Sequence, residues 1–151
     1  MSERAIVAVF PTSNAAYDAA SAIRTLAGDK AIDFKVKAGA MFSKDAKGNI
    51  IPLEEKDRPL WGTLAGGLAG GLIGLVGGPA GAVAGSAIGA TAGLATDTIG
   101  AAFDTDFVQS IASDVRPGDT AVVVEANENS TEPVDAIVRL NGGRIHRSEL
   151  N

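Results

Sequence analysis

Residues 62–93 read GTLAGGLAGGLIGLVGGPAGAVAGSAIGATAG, and the fold turns on whether this stretch is core or insertion. Between Arg58 and Asp97 no residue is charged. One helix over that span would be about 55 Å long, too long for a single crossing of a ~30 Å hydrocarbon core. VGGPAG divides it, because Gly77 and Gly78 can end a first helix while Pro79 suits the first turn of a second. The pattern predicts a helical hairpin, about Leu60–Val76 and Pro79–Thr96.

The glycine register is the strongest signal in the chain. Gly62, Gly66, Gly70, Gly74 and Gly78 are spaced by four, and Gly81, Gly85, Gly89 and Gly93 repeat the spacing. On a helix this makes a stripe without side chains, where another backbone can approach closely. Leu64, Leu68 and Leu72 also recur by four, two residues from the glycines and so about 200° round the helix. One side is a groove and the other an apolar ridge. The six glycines from Gly62 to Gly74 cost roughly 5–6 kcal/mol of helix stability against alanine, so close packing must compensate. A flexible linker would use serine and keep no register.

Working outward, the two flanks have ordinary globular texture. AIVAVF (5–10) is a continuous apolar run, as in a strand covered on both faces. Thr12 or Ser13 caps a helix carrying Ala16, Ala19, Ala20, Ile23 and Leu26, which Gly28 ends in the C′ role. Phe34, Val36, Ala38, Ala40 and Phe42 alternate with Lys35, Lys37, Gly39, Met41 and Ser43, a half-buried strand with one apolar face. KDAKGN is a hairpin turn, and Pro52 places the return strand at an edge. Beyond the glycine segment, Asp104 and Asp106 open a helix with Phe107, Val108, Ile111 and Val115. RPGDT is a turn and AVVVE a buried strand. Ser130 or Thr131 starts a helix holding Val134, Ile137, Val138 and Leu140, NGG stops it, and RIHRSEL is a final strand.

With the middle removed, the ends form two similar βαβ halves. The expected fold is therefore α+β, a ferredoxin-like βαβ sandwich interrupted by a glycine-zipper helical hairpin. Its three parts are residues 1–53, the hairpin 54–102, and 103–151.

Composition narrows the function. The net charge is −5 and the basic residues form no stripe, against nucleic acid as partner. There is no cysteine, which excludes disulfides, thiolate metal sites and a cysteine nucleophile. The segment 62–93 has no GxGxxG and no Gly-Lys-Ser/Thr, so no nucleotide cofactor is expected. Asp104 and Asp106 suit a helix N-terminus better than a cation, and His146, the one histidine, reads as a solvent-facing strand residue rather than a metal ligand. Lys44 and Lys47 read as solvated turn residues. No catalytic, cofactor or metal site is expected.

The order of blocks resembles the bacterial DUF1269 family. IVAVFPTSNAAYDAASAIRTL resembles its opening strand and helix, and KDAKGNI its hairpin. WGTLAGGLAGGLIGLVGGPAGAVAGSAIGATAG is similar to its glycine-rich insert, FDTDFVQSIASDVRPGDTAVVVEANE to its acidic helix start and PG turn, and NGGRIHRSEL to its closing strand. Members are often labelled membrane proteins of unknown function, and the resemblance implies no catalytic residue.

Two functions follow as expectations. One is a non-catalytic, cytoplasmic self-assembly protein that forms a homo-oligomer through Gly62, Gly66, Gly70, Gly74, Gly78, Gly81, Gly85, Gly89 and Gly93, with Leu64, Leu68 and Leu72 as ridge. The other is a membrane-associated module with the hairpin in the bilayer. An arm of about 25 Å falls short of the ~30 Å core, and the second arm is mostly Gly, Ala, Ser and Thr, which favours assembly. The short apolar run Ala5–Phe10, broken by Pro11, gives no expectation of secretion.

Overall fold

A computed structural model of the chain describes residues 2–53 and 105–149. Among these, five strands and three helices follow one another as β1 (Ser2–Phe10), α1 (Ser13–Ala27), β2 (Phe34–Lys44), β3 (Ile50–Leu53), α2 (Thr105–Asp114), β4 (Thr120–Glu128), α3 (Glu132–Leu140) and β5 (Arg144–Glu149). The strands form one sheet in the order β3-β2-β4-β1-β5, and every neighbouring pair is antiparallel. The chain is thus mixed α/β around an antiparallel sheet. The expected hairpin, with all its glycines and leucines, lies outside the described residues.

The apolar runs of β1 and β4 reflect a sheet buried on both faces. On one face Ile6, Ala8 and Phe10 join Val122, Val124 and Ala126 beneath α1 and α3. On the other, Ala5, Val7 and Val9 of β1 and Ala121 and Val123 of β4 are equally buried. Alanines at 16, 19 and 20 let α1 sit close to the sheet.

Local chemistry sets the element ends. Thr12 caps α1, its Oγ1 accepting from the Ala15 N–H at 3.1 Å. Gly28 departs from the expected left-handed C′ role. Its φ is −85°, and its N–H bonds Arg24 O and Thr25 O while Asp29 N–H bonds Leu26 O, so a tightened last turn satisfies the carbonyls without a positive φ. After α3 the left-handed ending does occur. Gly142 has φ +74°, its N–H bonds Arg139 O, and the Gly143 N–H bonds Val138 O, the Schellman pattern. In the β2–β3 turn, the Asp45 carboxylate accepts the N–H groups of Lys47 and Asn49 at 2.9 and 2.8 Å, with Gly48 at φ +85°. β3 is an edge strand, as Pro52 implies.

Two expectations need correction. β2 does not keep one apolar face. Its register against β4 shifts between Val36 and Ala38, so Lys37 is an extra residue and the alternation changes phase. Phe34 and Met41 therefore both reach the core under α1, while Ala40 and Phe42, opposite Val123 and Ala121, bury on the second face. Leu140, expected on the apolar side of α3, is 86% exposed; it falls in the last turn, past the buried pair Val134 and Val138.

Candidate functional site

The polar residues that the fold draws together form a clamp at each side of the sheet. In β5, Arg144 and His146 are two apart and lie opposite Val9 and Val7, so both face the side where α2 packs. The C-terminal end of α2 meets them there. Arg144 Nε donates to Asp114 Oδ1 at 2.6 Å, and His146 Nε2 lies 2.7 Å from Asp114 Oδ2. A carboxylate only accepts, so Nε2 carries the proton. Arg144 Nη2 also donates to the Asp114 carbonyl at 3.1 Å and to Asp119 Oδ2 at 2.9 Å. Asp119 in turn accepts the Arg116 N–H at 3.0 Å, and Lys44 Nζ reaches the Val115 carbonyl at 3.3 Å. Cations therefore bond the carbonyls at the negative end of the α2 dipole.

Burial pushes the Asp114 carboxyl up, but the hydrogen bonds from His146 and Arg144 outweigh it and hold the group below the usual carboxylate range. A folded-state value below the unfolded value of about 3.9 means that stability is present above that pH and is lost as pH falls through the folded value. Asp114→Asn is accordingly expected to lose about 1.5–3 kcal/mol near neutrality, the range for hydrogen bonds to charged groups. The gap from the parent should begin to narrow below about pH 4 and close as the pH passes the lower, folded-state value. Urea midpoints taken from pH 7 downward measure both; a gap that does not narrow at all as the pH falls below the unfolded value contradicts the charge account.

On the opposite face Glu128, with a fully buried side chain, accepts from Arg4 Nη1 at 3.1 Å and from Arg147 Nε and Nη2 at 3.0 and 2.9 Å. Arg147 also bonds Asp135 of α3. It is a fork bound on two sides, which ties β4, β5, β1 and α3. A third, surface group forms at the bulge, where Lys37 Nζ bonds Glu3 Oε2 at 2.9 Å. The hydrogen bond from Lys37 lowers the Glu3 carboxyl, whereas burial and the neighbouring Glu3 raise Glu125.

These arrangements join elements of one chain to each other. Both Asp114 oxygens are held, one by Arg144 and one by His146, and among the described residues no three His, Asp or Glu side chains are placed to hold a metal ion. His146 is therefore not the solvent-facing residue expected from sequence. Its side chain is 21% exposed and is an element of the clamp. Lys44, expected in solvent, ends β2 and reaches α2, whereas Lys47 is exposed in its turn. Asp106 is exposed in the first turn of α2, and Asp104 lies outside the described residues, as do Gly62–Gly93 and Leu64, Leu68 and Leu72. Asp114, Asp119, Arg144, Glu128 and Arg147 were not anticipated; the period-two phase that puts Glu128 in line with Val124 and Ala126 was the available signal.

The described residues form a mixed α/β fold around an antiparallel sheet, with two clusters of paired polar side chains flanking it. Residues 60–151 match the model of DUF1269, a protein family of unknown function. The chain belongs to that family. Neither the curated proteins nor the solved structures contain a significant match. Among the described residues no helix is long and apolar enough to cross a membrane.

Proposed function

We propose that the protein is a non-catalytic, cytoplasmic assembly module, a ferredoxin-like domain that carries a glycine-zipper helical hairpin through which copies join. The observation that carries this reading is the register of Gly62, Gly66, Gly70 and Gly74, continued from Gly81 to Gly93, which suits close helix contact. The strand order supports the ferredoxin-like assignment. β5-β1-β4-β2 holds two βαβ halves, β1-α1-β2 and β4-α3-β5, on one antiparallel sheet. It also supports dividing the chain into 1–53, 54–102 and 103–151, since residues on both sides of the glycine segment share that sheet. Polar clusters whose charges are spent on one another favour packing over catalysis.

Light scattering and sedimentation in detergent-free buffer test the reading. The parent is expected as a soluble particle of defined mass larger than one chain. Gly70→Leu and Gly85→Leu should lower that mass, because each puts a side chain where a backbone approaches, whereas Leu68→Ala should lower it less. Unchanged assembly of both glycine variants contradicts the zipper. A membrane-associated module is the second reading, favoured by the absence of charge between Arg58 and Asp97. It predicts pelleting with membranes that only detergent reverses.

A further inference from the structure

The described elements do not cover the two sheet faces equally. On one face α1 and α3 between them pack on β1, β2, β4 and β5. On the other, α2 is the one described helix, and it is ten residues long. A helix about 10 Å across spans roughly two strands at a spacing of ~4.8 Å. Its anchors are at β5, through Arg144 and His146, and at the tip of β2, through Lys44. Burial nevertheless continues across the rest of this face. Val123 of β4 is 2% exposed, Ala40 and Phe42 of β2 are 1% and 0%, and Ile50 of β3 is 7%.

We propose that the β4-β2-β3 side of this face is the docking surface for residues 54–104 of the same chain. That segment leaves from Leu53, the last residue of β3, beside this surface, and the chain re-enters at Thr105, the first residue of α2, on the same face. The segment carries no charge from Pro59 to Thr96, as a partner for Val123, Phe42 and Ile50 requires. Leu64, Leu68 and Leu72 supply large apolar side chains at one spacing. This detail rests on the helical reading given under the proposed function. With the leucine ridge against the sheet, the glycine stripe faces away from it and is open to another copy. Docking and assembly then use opposite sides of one segment.

The test places p-benzoylphenylalanine at Phe42, and separately at Ile50, in the full chain, prepared as a mixture of isotope-labelled and unlabelled copies. Photolysis followed by peptide mass spectrometry is expected to join each probe to a peptide from 54–104 of the same copy. Cross-links confined to 2–53 and 105–149 overturn the proposal. So do cross-links to a second copy, or to lipid when phosphatidylglycerol–phosphatidylethanolamine vesicles are added. Circular dichroism checks folding, and the edge probe at Ile50 serves if the Phe42 probe does not fold. Particle mass is read on the same samples. An intramolecular cross-link in a monomer keeps docking and removes assembly; a defined oligomer whose probes join only other peptides does the reverse.

Discussion

Glu128→Ala is expected to lower stability by about 3–5 kcal/mol, the cost of removing one member of a buried ion pair. The Glu128 side chain is fully buried, and the Arg4 and Arg147 side chains are only 20% and 17% exposed. Without the carboxylate, Arg4 keeps only a 3.8 Å approach to the exposed Glu149. Arg147 keeps Asp135 and the Thr131 carbonyl, which places the expected loss toward the lower end. Glu128→Gln retains an acceptor oxygen and should cost less than Glu128→Ala. Urea unfolding of the three proteins gives the comparison. Equal stability of Glu128→Ala and the parent would show that water replaces the carboxylate without penalty.

Phe10→Ala should cost about 3–5 kcal/mol, as for other large aromatic truncations in cores. Phe10 is fully buried, and its ring closes against the end of α3. A Cβ at Gly143 would stand 2.5 Å from Phe10 Cε1 and 2.9 Å from Val138 Cγ1. Gly143→Ala alone is therefore expected to cost about 1–3 kcal/mol through overpacking. The ring and the added methyl compete for one space, so the double variant should be more stable than the sum of the single losses implies. A strictly additive cycle, read from denaturant midpoints, contradicts a direct clash.

Much of the domain was legible along the chain. The apolar runs of β1 and β4, the alanine spacing of α1 and the Gly48, Gly118 and Gly142 turns each act through neighbours in sequence. The bulge was not, because Phe34 to Phe42 alternates whether or not Lys37 is paired, and only the register against β4 shows the phase change. The clamps were hidden for a similar reason. Arg4 and Glu128 stand 124 positions apart, and His146 meets Asp114 only because β5 lies at the sheet edge beside α2. A lone histidine on a strand gives no hint of a carboxylate delivered by another element.

The placement of β4 between β1 and β2 imposes an order of events on the newborn chain. β1 and β2 do not pair with each other; each waits for the strand that comes between them. About 75 residues separate the end of β2 from the start of β4, which at ~5–20 residues per second is roughly 4–15 s of synthesis. Throughout that interval two apolar strands have emerged without their common partner, while the uncharged glycine-rich segment is still being made. Long-range antiparallel closure of this kind is slow, and strands that wait are open to wrong pairing. A ribosome stalled before residue 120 would hold a chain unable to complete its sheet, so protease resistance of the N-terminal half should arise late and in a single step.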